Sequence, residues 1–359
     1  MSAPVDMDLG GLPPDLGAWY ASHLGKVDSA RAAMERIVQA DIPPVRARLL
    51  RSTQLGAEAL KGRGGYEVRL TVALPTIIHF TFKCLLRTPQ FMYGVGDAVS
   101  EQPYRTSSTR IPLSLPRGIA LEQAIVSITA LSRPADERRA AAAVLLAELA
   151  VAFCAYHELA HLLLGHIDAM QRWSGRARLL EMAEKTGVAH LDAKTRLVWE
   201  YEADLVAANM LLQDMMDPGV EGVFKEVYGP DAETDPLSRF QAMLGATLVV
   251  FLLISQVTPR DRRTHPEPLV RFAAIANDSA AALAEQQPQL KLSFDVVSEA
   301  VNDVALSTLS SWRALGLGTS AASPLKNLLT AQRAVERLEK HRCAGHQAYS
   351  RFARFYPFR

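Results

Sequence analysis

Apolar residues recur along this chain mostly at helical spacing, and the longest such run, residues 140–165, holds two histidines and a glutamate inside it. Nearer the N-terminus, Ala30, Ala33, Met34, Ile37 and Val38 fall three and four apart. Asp28-Ser29 supplies a capping start for that helix and Pro43-Pro44 a stop. A second helix is expected over 45–60. Lys61-Gly62-Arg63-Gly64-Gly65 then marks a turn or link. The period changes over 66–118. Tyr66-Glu67-Val68-Arg69-Leu70-Thr71-Val72 alternates as a strand does. Residues 77–82 read equally as a strand or as the start of a buried helix. Ile111, Leu113 and Leu115 alternate, but Pro112 confines that stretch to a sheet edge. An edge there suits either a structural hairpin or the docking of an extended peptide.

Beyond residue 119 the pattern is helical again. Residues 121–131 predict one helix, broken at Ser132-Arg133-Pro134. The next starts at Asp136-Glu137 and its pattern runs to about 172. At ~1.5 Å per residue it would be roughly 55 Å long, so a kink or break near Gly165 is expected. Further helices are predicted at 176–185, 195–213, 237–257, 293–315 and 324–341, with a loop over 219–236. The fold class is therefore α+β and predominantly α-helical, with a small β-sheet beside the long helix. Four segments follow: an N-terminal helical segment (1–65), a β-containing segment (66–118), a helical core (119–280) and a C-terminal helical segment (281–359).

Composition narrows the function classes. A chain of 359 residues can bury a sizeable core, and its net charge of +1 gives no reason to expect nucleic acid as a partner. Cys84, Cys154 and Cys343 are odd in number and far apart, which fits a reducing, cytoplasmic setting. Residues 1–17 have neither the basic flank nor the apolar core of a signal peptide. Two apolar runs need a membrane check. Residues 140–165 carry Glu148, His157, Glu158 and His161, and 243–257 fall short of the ~20 residues that span a bilayer. Both are expected to be buried core helices, which argues against membrane insertion.

The candidate chemistry lies in His157-Glu158-Leu159-Ala160-His161. A spacing of four returns to the same helix face, so both imidazoles can reach one metal ion. Glu158 lies about 100° round the helix, within reach of a metal-bound water without ligating the metal. A third histidine at metzincin spacing is absent, since Leu164 and Ile167 stand at those positions. His166, five residues past His161 and about 140° away on an unbroken helix, is not expected at the same metal. Glu200-Tyr201-Glu202-Ala203-Asp204 offers the alternative, a carboxylate from a second helix. Glu200 is the favoured ligand and Glu202 the other candidate. Asp204, on the face of Glu200, would accept a hydrogen bond from the second ring nitrogen of a ligand histidine. Ala203 is small enough to let the helices approach. Thr264-His265-Pro266-Glu267-Pro268-Leu269-Val270-Arg271 follows, a rigid turn holding His265, with Arg271 in the next helix. His265 suits an oxyanion, and Arg271 suits Asp204, Glu202 or the turn itself. His79 reads as a core or sheet-edge residue, the pair His341 and His346 around Cys343 as a solvated tail, and His23 carries no context.

In this order the motifs H-E-L-A-H-x3-G-H, E-x-E-A-D and H-P-x-P-x-x-R resemble the gluzincin metallopeptidases of the HtpX, Oma and CAAX-prenyl-peptidase group. They are similar also to the soluble phage-exclusion (Lit-like) peptidases. The resemblance covers about residues 135–275. It implies a zincin-like core, zinc on His157, His161 and Glu200, and a protein or peptide substrate. Hydrolysis would run through a zinc-activated water with Glu158 as general base and His265 at the substrate or oxyanion. The alternative is a catalytically silent zinc-binding regulatory or interaction module.

Overall fold

The computed structural model describes residues 6–38, 42–62, 64–103, 111–174, 178–180, 193–229, 235–257, 266–288, 293–317, 324–345 and 350–353. Its centre is a 27-residue helix, α4 (Glu137–Leu163), because that stretch is apolar on nearly every face from Ala142 onward. Leu146, Leu149, Phe153, Leu159 and Leu163 are all buried along it. Each such side chain contributes roughly 1.5–3 kcal/mol when withdrawn from water. That is the apolar support a buried polar site requires. Around α4 pack α1 (Pro14–Val38), α2 (Ala73–Leu86), α6 (Ala193–Met216), α7 (Glu221–Tyr228) and α8 (Pro236–Val257). A second layer is formed by α9 (Pro268–Gln286), α10 (Phe294–Ala314) and α11 (Pro324–Gly345), while α3 (Leu121–Ala130) lies on α2. One hydrophobic cluster runs through all of them.

The sheet has four strands, β1 (Val45–Leu50), β2 (Ala57–Gly62), β3 (Gly65–Thr71) and β4 (Arg178–Leu180), in the order β1-β3-β2-β4. β1 runs parallel to β3, whereas β2 is antiparallel to both β3 and β4. Tyr66, Val68 and Leu70 turn inward from β3, and the sheet lies against α4. The fold is thus predominantly helical α+β, as the periodicity implies.

Several local expectations are corrected. Residues 45–62 are two strands rather than a helix. Their Ala, Leu, Glu, Lys and Arg favour helix locally, but pairing with β3 wins. The glycine run forms the hairpin between β2 and β3, where Gly62 faces Gly65. α1 is continuous through Asp28-Ser29, with no cap there. Residues 77–82 are helical, inside α2. The proposed edge strand at 110–115 is reduced, over the described 111–115, to an isolated bridge of Ser114 with Gln54. Proline there denies a ladder its donor. The loop expected over 219–236 contains α7. Residues 178–180 are the strand β4, not helix, and the rest of 176–185 is outside the described residues apart from these.

Two devices hold α4 at its ends. At the N-terminus, the Asp136 carboxylate accepts the Arg139 amide at 2.9 Å, a capping bond. The buried Arg139 guanidinium donates to the carbonyls of Leu86, Thr88, Phe91, Met92 and Val95 at 2.7–3.2 Å, tying the loop after α2 to this helix. At the C-terminus, Gly165 has φ +73° and ends the helix. A Cβ there would sit 2.3 Å from the Phe352 carbonyl, so only glycine fits against that segment. The chain restarts at once as α5 (His166–Ser174).

Candidate metal centre

His157 and His161 project from one face of α4 toward α6, as their spacing dictates. Their Nε2 atoms are 3.1 Å apart. Glu200 of α6 brings Oε2 to 3.3 Å from His157 Nε2 and Oε1 to 3.8 Å from His161 Nε2. Bonds of ~2.0–2.1 Å in a tetrahedral site separate their ligand atoms by roughly 3.3 Å, and the observed distances lie close to that. Two imidazoles and one carboxylate form a donor set suited to an ion such as zinc. Among the described residues this buried group could hold a metal ion. Glu158 is also fully buried on the same turn of α4.

Each imidazole is oriented from behind. Asp204, one turn after Glu200, has Oδ1 3.0 Å from His157 Nδ1. Its two oxygens accept from Arg271 Nε and Nη2 at 2.7 and 2.6 Å. The Arg271 guanidinium lies 4.2 Å over the Phe251 ring, which meets Phe153 edge to face. Burial alone would raise the Asp204 carboxyl, but the Arg271 guanidinium and the His157 contact outweigh it and hold the group below its usual range. On the other side, His161 Nδ1 lies 2.9 Å from His166 Nδ1, and His166 Nε2 lies 3.1 Å from Glu202 Oε2. The His166 ring stacks on Trp199, with planes 10° apart. Burial holds His161 well below the ordinary imidazole range and pushes His166 down to about 3.

The structure therefore brings together His157, Glu158, His161, Glu200, Asp204 and Arg271. Arg271 takes Asp204 rather than Glu202, and Ala203 is buried between the helices. Glu200 faces the imidazoles, whereas Glu202 faces His166. His265 lies outside the described residues. The 140° between His161 and His166 holds only on an unbroken helix. Gly165 breaks α4 and α5 turns back, so His166 returns to the site. A histidine directly after a helix-ending glycine is the signal that could have found it.

A profile of the Peptidase U49 family matches residues 121–290, a span that includes α4, α6 and α9 and so every placed residue of this group. The match supports a peptidase. No curated protein and no solved structure matches the chain.

Proposed function

We propose that the protein is a zinc-dependent metallopeptidase of gluzincin type that cleaves peptide bonds in a protein substrate. The carrying observation is the convergence of His157, His161 and Glu200 within 4.8 Å, with Glu158 on the same helix turn. His157, His161 and Glu200 would hold zinc, which when bound supplies Lewis acidity, lowering the pKa of water and polarising a carbonyl. Glu158 takes the proton from the attacking water and hands it to the departing amine. Asp204, itself held by Arg271, keeps the His157 ring oriented. His265 enters from the sequence motif alone, as an imidazole for the oxyanion. Two buried thiols, Cys84 and Cys154, and an exposed one, Cys343, support a reducing, cytoplasmic setting.

One observation favours a second reading. His157, Glu158 and Glu200 are at most 1% exposed, which suits a silent zinc module as well as an enzyme. The Glu158→Gln variant separates the two. With a peptide library read by mass spectrometry, the wild-type chain should cleave. The variant should keep its zinc and lose about 10²–10⁴-fold in rate. Undiminished cleavage by a zinc-loaded variant would exclude Glu158 as the base. A zinc-loaded wild-type chain that cleaves nothing would favour the silent module.

A further inference from the structure

We infer that His166 and Glu202 are positioning residues that set the tautomer of His161 and aim its Nε2 lone pair at the metal, an inference that rests on the metallopeptidase reading above. His166 Nε2 faces the Glu202 carboxylate at 3.1 Å and must carry a hydrogen to bond with it. In a neutral imidazole the other nitrogen, Nδ1, is then bare and can only accept. The atom 2.9 Å from it is His161 Nδ1, which therefore carries the hydrogen and donates. That leaves the lone pair of His161 on Nε2, the atom 3.1 Å from His157 Nε2 and 3.8 Å from Glu200 Oε1. The reverse order would put the one hydrogen of a neutral His161 on Nε2, pointing it among the ligand atoms. His166 does not compete as a ligand, because both its nitrogens are already engaged.

The surroundings hold this relay in place. The His166 ring is fully buried and stacked on Trp199 at 4.9 Å between centroids. Trp199 is stacked in turn on Trp173 of α5. Two residues along α5, the Asp168 carboxylate accepts from Lys61 Nζ at 2.6 Å and from the Tyr66 hydroxyl at 2.5 Å, fixing the helix to the sheet. Gly165 lets the chain turn tightly enough for His166 to reach back to His161. The two candidate ligand histidines are thus served by different devices from one helix. His157 reaches Asp204 directly, and His161 reaches Glu202 through an intervening imidazole.

The test measures metal binding rather than turnover. Zinc affinity is read by competition with a chromophoric chelator, and the site geometry by the visible spectrum of the cobalt(II)-loaded chain. His166→Phe keeps the stack on Trp199 but cannot accept. It should raise the zinc Kd about ten- to hundred-fold and alter the cobalt bands. His166→Gln offers an acceptor to His161 and a donor to Glu202, and should restore both readouts most of the way. Wild-type affinity in His166→Phe, or equal losses in the Phe and Gln variants, would overturn the proposal. Should His166→Phe fail to fold by circular dichroism, Glu202→Met carries the same test. A raised Kd supports the relay and an unchanged one overturns it. A wild-type chain that binds no zinc would overturn the metallopeptidase reading as well, which distinguishes the two failures.

Discussion

Arg271 shows how much a single side chain supports at this site. Its guanidinium and the Asp204 carboxylate are both buried, and two short hydrogen bonds join them. Removing one partner leaves the other charge stranded in the core, which costs about 3–5 kcal/mol. Arg271→Met should therefore lower the unfolding free energy by that amount in urea titrations. It should also weaken zinc binding, because Asp204 is then a poorer anchor for His157. Stability within 1 kcal/mol of wild type would mean that the pair is not buried as described. At this scale most of the group was legible in the sequence. His157, His161, Glu200 and Asp204 follow from the i,i+4 rule, which is local and survives any packing. His166 and Glu202 were not legible in their observed roles, because their meeting depends on a chain reversal that helix geometry alone does not contain.

Among the elements, the contact of α1 with α2 gathers two histidines around one indole. His23 meets Trp19 edge to face, and His79 lies 5.5 Å from the same ring. Burial is the main cause that pushes both down to about 3, with neighbouring Lys26 and Lys83 adding to it. In the unfolded chain these groups take up protons near pH 6.5, whereas in the folded chain they stay neutral. Their contribution to stability is present in full above pH 6.5 and is lost as the pH falls toward 3. The slope is up to about 1.4 kcal/mol per pH unit for each histidine. His23→Leu should remove about one proton's share of that slope between pH 6.5 and 5, measured by urea unfolding at each pH. An unaltered slope would contradict the assignment. Elements with strong apolar periodicity, such as α4, α6 and α8, were readable within a few residues of their ends. β1 and β2 were not, since their residues favour helix and only the pairing with β3 makes them strands.

Taken whole, the molecule surrounds a polar group with apolar helices. α4 and α8 are each long and apolar enough by composition to cross a bilayer. Yet 78% and 72% of their most apolar stretches are buried against the rest of the chain. That core is what allows carboxylates and imidazoles to be held without solvent, because every buried polar group needs fixed partners. The assembly of α4 and α6 matters here for the metal that Glu200 would share with the two histidines. The most direct measurement is the metal content of the purified chain, by mass spectrometry of the elements, for the wild type and two isosteric variants. One zinc per chain is expected in the wild type and in Glu158→Gln, and less than about a tenth of that in Glu200→Gln. A wild-type chain without zinc, or a full complement in Glu200→Gln, would contradict the zinc assignment.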